Sequence, residues 1–433
     1  MIRRRFKYFM PERNEFSTTG EEALLSVSEY YGVKPRSEVF EEDAAEGRAV
    51  SLEGYRKVRD GDFVMNYMLA WKGAYGVSDH DGIVSPAYAV YKIDTRVADR
   101  RFIHHRLRSE HMRSVFRARS KGIIESRLRL YPDAFLSMEI ELPDLPTQKV
   151  IADFLDRETT RIDQLIEKKQ QLVEATEAEF LNRVTNAVTL GLQAMREVRP
   201  SGYDWHPSVP VGWTVTRLKF LCSRIVDCLH ETPEHDEDGE FPSIRTADVK
   251  RGRLSTATAK RVSAAEYRNR IQRLEPEFGD VVYTREGERF GLAALVPPDT
   301  KLCLGQRMMM FRVNRRAIPD YLMWSLNGAF AYHYLKQGTS GATSPHLNIS
   351  DIRNVPIFLP PIGEQQEISA EINRRFELKE RMLDLVTGTI DRLREFRAAL
   401  ITAAVTGQID VMTWGKRRST DGHLERVLGE MGA

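Results

Sequence analysis

Leu359-Pro360-Pro361-Ile362-Gly363-Glu364-Gln365 opens a stretch of helical character that ends at Ala404-Val405-Thr406-Gly407. Half a chain earlier, Leu142-Pro143-Asp144-Leu145-Pro146-Thr147-Gln148 opens another, which ends at Ala187-Val188-Thr189-Leu190-Gly191. From leucine to threonine the two align without a gap, 217 residues apart (Leu142 to Leu359). Upstream, Arg59-Asp60-Gly61-Asp62-Phe63-Val64 matches Glu277-Phe278-Gly279-Asp280-Val281-Val282. Self-similarity fixes architecture before any motif is read, and two copies are too few for a solenoid. The sequence predicts an α+β protein with two globular modules in tandem, each followed by a long helix. The two helices would pack as an antiparallel coiled-coil spacer with pseudo-twofold symmetry.

Apolar residues recur at spacings of three and four along both helical stretches. Ile151, Phe154, Leu155, Ile162, Leu165, Ile166, Leu172, Val173, Phe180, Val184 and Val188 form the first seam; Ile368, Ile372, Phe376, Met382, Leu383, Ile390, Leu393, Leu400 and Ile401 form the second. Gly191 and Gly407 stand where a C-terminal cap belongs. Roughly 40 residues of helix reach about 60 Å, enough to bridge half-sites one turn of DNA apart, whose centres lie about 34 to 36 Å from each other. The expected boundaries are a first module at 1–144, a first spacer helix at 145–195, a second module at 205–358, a second spacer helix at 362–410 and a tail at 411–433.

Both modules repeat one order of elements. Phe63 to Met68 and Ala87 to Ile93 read as strands and Ala98 to Ala118 as a helix; Val281 to Thr284 and Met308 to Val313 read as strands and Ile318 to Leu335 as the corresponding helix. The start of the second module, Pro210-Val211-Gly212-Trp213-Thr214-Val215, finds no counterpart in the first, whose residues 1–60 have no assigned fold.

The 433 residues, 42% hydrophobic and 9% aromatic, suit a folded protein of two or three domains. No apolar run approaches the roughly 20 residues that span a bilayer, and Met1-Ile2-Arg3-Arg4-Arg5-Phe6 lacks the core of a signal peptide. With three cysteines, Cys222, Cys228 and Cys303, a cytoplasmic protein with reduced thiols is expected. A net charge of +2 carries no nucleic-acid argument, but its distribution does: Arg96 to Arg129 holds eleven Lys or Arg against Asp99, Glu110 and Glu125, while acid gathers at Glu38 to Glu46 and Glu174 to Glu179.

The duplicated helix entries and exits resemble those of the DNA-specificity subunits of type I restriction-modification systems. The second module adds His230-x-Thr232-Pro233, Gly239-x-Phe241-Pro242-x-Ile244-Arg245-x-x-Asp248 and Ser344-Pro345-His346-Leu347-Asn348-Ile349-Ser350 to the resemblance. The first module departs from it, lacking the His-x-Thr-Pro segment and carrying Glu125-Ser126-Arg127-Leu128 in place of Ser344 to Leu347. The resemblance implies that each module is a target-recognition domain for one half of a split duplex DNA sequence. It also implies that two conserved helices set the spacing, that two methyltransferase subunits dock, that two translocating nuclease subunits join for restriction, and that the chain itself has no catalytic role.

Chemistry of other kinds leaves little trace. Phosphate-binding glycine loops and the Asn/Asp-Pro-Pro-aromatic signature of amino-methyltransferases are absent, so no cofactor and no catalytic residue is assigned. Cys228, His230, His235 and Asp236 match no zinc spacing, Glu377-Leu378-Lys379 has no acid suitably upstream, and the repeated Gly-Asp steps read as turns, so no metal is assigned either. The expected DNA contacts of the first module are Asn66, Trp71, Lys72, Tyr75, Arg106, Arg113, Arg117, Arg119 and Lys121. Those of the second are Arg245, Arg285, Arg289, Gln306, Arg307, Ser344 and His346. The competing reading is a coiled-coil scaffold whose modules bind proteins and not DNA.

Overall fold

A computed structural model describes residues 2–39, 51–124, 127–193, 195–287, 289–337 and 347–417. Readings that fell on 40–46, Glu125, Ser126, Ser344, His346 and the tail beyond 417 lie outside the described residues. The chain divides into two compact units, Met1–Gln170 with Val386–Ala433, and Gln171–Leu385. Both long helices cross the division, so each unit holds one module, the opening of the helix that follows it and the closing stretch of the other.

The long helices run over Leu145–Leu190 and Ile362–Val405, shorter at their ends than the spacer spans expected from sequence. Each stops just before a left-handed glycine, Gly191 at φ +83° and Gly407 at φ +74°, which reverses the chain without a β-carbon clash. A further helix, Val411–Arg417, lies in the expected tail, and Trp414 meets the edge of Phe154 with ring centroids 6.1 Å apart.

The entry motif is repeated because its glutamine does one job twice. Gln148, fully buried, donates to the carbonyls of Pro143 (2.9 Å) and Val97 (3.2 Å) and accepts from the Asp99 amide (2.9 Å). Gln365 donates to the carbonyls of Pro360 (2.9 Å) and Arg316 (3.1 Å) and accepts from the Ile318 amide (3.0 Å). In each unit one side-chain amide ties the start of the long helix to the segment that launches the module's own helix. It satisfies backbone groups that neither helix can pair internally.

The seam forms within each unit. In the first, Ile151, Phe154, Leu155 and Ile162 pack with Leu393, Leu400, Ile401 and Val405, and Asp163 accepts two bonds from Arg397 at 2.8 and 3.0 Å. In the second, Phe180, Val184 and Val188 pack with Ile368, Ile372 and Phe376. There Lys379 donates to Glu177 at 3.1 Å and sits 4.8 and 5.1 Å from the Phe180 and Phe376 ring centres. Advancing along the first helix means retreating along the second in both units, which makes the pair antiparallel. Of Glu377-Leu378-Lys379 only Lys379 joins this seam, also 2.9 Å from Glu380, while Glu377 and Leu378 are exposed.

Each module is built on a three-stranded antiparallel core. Phe63–Asn66 lies between Tyr75–Val77 and Tyr88–Tyr91; Val281–Thr284 lies between Ala293–Leu295 and Met308–Val313, with Cys222–Asp227 added beyond the last. Side chains alternate between faces with the strand period of two. Phe63, Met65, Tyr75 and Tyr91 join the core shared with the helices, while Val64 and Val90 face a second cluster with Leu25, Val27, Val33, Val58 and Val84. The second module does the same: Val281, Tyr283, Met309 and Phe311 face the helices, and Val282, Met308 and Met310 face Ile244, Val249 and Leu302. The Gly-Asp step before each central strand is a turn, as expected. Asp62 and Asp280 each accept from a backbone amide three residues back at 2.9 Å, and each is gripped by an arginine, Arg13 or Arg312.

Two expectations are corrected. The front edges of the modules do correspond: Ile2–Arg5 pairs antiparallel with Glu139–Leu142 just as Thr214–Arg217 pairs with Pro356–Leu359, and a one-turn 3-10 helix follows each, Phe6–Tyr8 in the first module and Leu218–Phe220 in the second. Solvent-facing strands keep their pairing without keeping their residues, which hid the match. The module helices are each broken in two, Arg100–Arg108 with Glu110–Arg119, and Pro319–Asn327 with Ala329–Gln337. Ser109 (φ −62°, ψ 152°) and Gly328 (φ −70°, ψ 151°) are extended at the break. The Ser109 hydroxyl caps the second helix at the Met112 amide (3.4 Å).

The break turns the first half of each module helix onto the long helix through three matched positions. Asp156 accepts from Arg101 (2.9 Å) and sits 2.7 Å from His105 Nε2. Asn373, 217 residues on, accepts from Trp324 Nε1 (2.7 Å) and donates to Asp320 (2.8 Å). The geometry is the same and the chemistry is exchanged.

Replacing Gln148 or Gln365 by Leu strands one amide and two carbonyls in the interior, a cost of about 2 to 4 kcal/mol for each variant. Denaturant unfolding is expected to show similar losses at both positions; a loss below about 0.5 kcal/mol at either would contradict the clamp.

Candidate nucleic-acid interface

In the first module the helix Glu110–Arg119 and the strand loop after Asn66 present the cationic face. Arg113, Arg117, Arg119, Lys121 and Lys72 are exposed. The indole of Trp71 is buried beneath Lys72 Nζ and the Arg117 guanidinium, 5.2 and 5.6 Å from its ring centre, so it supports these cations and offers no open face for stacking. Asn66 and Tyr75 lie in the interior: the Asn66 side chain accepts from the Met68 amide (3.1 Å), and the Tyr75 hydroxyl donates to the Leu107 carbonyl (3.0 Å) with its pKa pushed up to about 12 by burial. Arg106 is buried as well.

Arg108, not among the expected contacts, anchors this face. It donates to the carbonyls of Tyr75 (2.6 Å), Glu29 (2.8 Å), Tyr30 (3.2 Å) and Gly73 (3.3 Å). Burial lowers its pKa to about 10, which leaves it charged at neutral pH.

The second module gathers its groups around Asp227. One carboxylate oxygen of Asp227 is 2.6 Å from Arg285 and 2.8 Å from His230 Nε2. Arg285 also binds Glu286 (2.7 Å), whose other oxygen lies 3.7 Å from the exposed Arg307. Arg285 is buried and so holds the site from within. Gln306 accepts from the Thr232 hydroxyl (3.1 Å), which brings the His-x-Thr-Pro loop against the turn at 305–307. Arg289 is exposed and reaches the Ala247 and Val249 carbonyls at 3.5 and 3.4 Å, while Arg245 makes a two-point pair with Asp248 at 3.0 and 3.1 Å. The structure thus brings Arg285, Gln306 and Arg307 together and sets Arg245 and Arg289, from two different segments, about the turn Thr246–Asp248.

Sequence reasoning missed the residues that shape this loop. Arg270 donates to the Leu229 and Glu231 carbonyls (3.2 and 2.6 Å) and Arg273 to that of Asp227 (2.9 Å). Neither carries a motif, since an arginine that collects backbone oxygens reads as an ordinary charge. His230 and Thr232 were visible in their motif but not as members of the cluster. Cys228 accepts from the Met308 amide at 3.2 Å, and burial pushes Cys222 up to about 12 and Cys303 to about 11, so these two are neutral thiols at neutral pH. No group of acidic, histidine or cysteine side chains that could hold a metal occurs among the described residues. None of their helices is long and apolar enough to cross a membrane.

Residues 210–380, which contain this cluster, match the family model described as the type I restriction modification DNA specificity domain. Over this segment the chain resembles the type I specificity subunits. It is similar to the EcoKI specificity subunit of Escherichia coli K12, at 22% identity over 71% of this chain and 65% of that one. The StySPI specificity subunit of Salmonella potsdam is 20% identical over the same shares. The match therefore spans slightly less than two thirds of these relatives' length. A chain from a solved structure on complex assembly and conformational transition of the type I R-M system superposes with a TM-score of 0.67 at 18% identity, over 93% of this chain and 97% of its own, which shows the shared fold.

Arg307 holds φ +70°, a left-handed conformation that a side chain makes costly. Arg307→Gly is expected to raise folding stability by up to about 1 kcal/mol while removing an exposed guanidinium. A lowered unfolding midpoint would show that the contact to Glu286 outweighs the strain.

Proposed function

We propose that this chain recognises a bipartite duplex DNA target, one half with each module, and directs partner methyltransferase and nuclease subunits to it without catalysing a reaction. The observation that carries this reading is that two modules with one scaffold and one helix clamp present unlike sets of exposed cations and hydrogen-bonding groups. A protein that needed the same surface twice would have kept the surface with the scaffold. The relatives are specificity subunits of type I restriction enzymes. For this chain we extend that role to association with two methyltransferase and two nuclease subunits, and to an action in the cytoplasm.

Within this reading, Lys72, Arg113, Arg117, Arg119 and Lys121 contact phosphates in the first half-site. Arg289, Arg307, Gln306 and His230 reach the second, with Ser344 and His346 also assigned to it. Asn66, Trp71, Tyr75, Arg245 and Arg285 position these groups from beneath.

The full chain with its methyltransferase partners should retard duplex DNA, with log K falling by about 0.9 per log unit of salt for each phosphate neutralised. Arg117→Ala should weaken binding to all duplexes alike, whereas Arg307→Ala should relax discrimination in one half-site by about 1 to 3 kcal/mol. Failure to retard any duplex at low salt would favour a protein-binding scaffold instead.

A further inference from the structure

The first module contains a cationic cavity at the edge of the DNA-reading surface, and Arg119 belongs to both. It has a volume of about 460 Å³ and lies between the paired strands Ile2–Arg5 and Glu139–Leu142 and the helix Glu110–Arg119. Arg106 lines it while only 8% exposed, and its Nε and Nη1 atoms are buried with no hydrogen-bond partner among the described residues. A buried guanidinium normally has its donors filled, because each unfilled one forfeits hydration without replacement. Burial pulls the Arg106 pKa down, with Glu141 the one charge opposing that pull.

The carboxylates in the cavity are already engaged. Glu141 binds Arg3 at 3.1 Å and Glu139 binds Arg5 at 3.0 Å, which leaves Arg106 and the exposed Arg119 as the excess of positive charge, with His111 beside them. The scaffold does not require a guanidinium here. By the correspondence that relates His105 to Trp324, Arg106 matches Ser325, whose hydroxyl donates to the Tyr321 carbonyl (2.8 Å) within its own helix. The first module therefore carries a buried cation that its duplicate manages without.

We propose that this cavity binds a phosphate group, with the Arg106 guanidinium and Arg119 gripping its oxygens. A tetrahedral oxyanion offers several acceptors to a guanidinium fork, and its charge offsets the desolvated cation. The group comes either from a free phosphate compound or from a DNA backbone. The site shares Arg119 with the DNA-reading proposal but is tested separately from it, because a phosphate titration contains no DNA.

The test is calorimetric titration of the full chain with inorganic phosphate against chloride at matched ionic strength, with thermal melting in parallel. Wild type should bind phosphate and melt about 2 to 4 °C higher when saturated. Arg106→Gln should weaken phosphate binding at least about tenfold, and Arg106→Met should melt higher than wild type without phosphate yet gain nothing from it. Should the Arg106 variants fail to fold, Arg119→Ala, a surface change, should still weaken phosphate binding about threefold. Absence of phosphate binding by wild type, or binding unchanged in Arg106→Gln or in Arg119→Ala, overturns the site. Adding a short duplex separates the sources: duplex bound more weakly by Arg106→Gln than by wild type marks a backbone phosphate as the occupant, and an unchanged duplex affinity marks a free one.

Discussion

A single buried side-chain amide, used twice, is the constraint on which the rest depends. Gln148 and Gln365 each join three backbone groups: a carbonyl in the loop before the long helix, the carbonyl that ends one part of the module and the amide that begins its helix. A buried backbone group left unpaired costs more than a surface contact returns, so the position of the module helix relative to the long helix is set at that point. The strands then align by their two-residue alternation, and the seam follows from the three-and-four spacing of apolar residues.

On this common frame the polar contacts diverge. Asp156 with Arg101 and His105 forms a charged latch; Asn373 with Asp320 and Trp324 forms a mostly neutral one at the same positions. A residue from one set would leave a partner in the other unsatisfied, so each module helix matches the long helix that follows it and mismatches the other. The same divergence reaches the surface, where Arg117 over Trp71 in one module and Asp227 with Arg285 and His230 in the other have nothing in common.

The duplication, the central strands and both long helices were legible because they rest on periodicity and on repeated residues. The front-edge strands Ile2–Arg5 and Thr214–Arg217 were not, since backbone pairing at an exposed edge leaves the side chains free to change. The helix breaks at Ser109 and Gly328 were hidden by apolar residues on both sides that keep the helical rhythm across the break. The candidate sites were legible only in their residue types. An arginine in sequence does not reveal whether it is exposed, as Arg117 is, or buried against a carboxylate, as Arg285 is.

The claim that these are two independent readers on one frame is tested most directly by exchanging residues 1–144 for the first module of a type I specificity subunit and mapping methylated sites genome-wide in cells that supply a methyltransferase. The account predicts that one half of the methylated target changes to that of the donor while the other half stays as it was. A change in both halves together, or methylation at the original target, would contradict it.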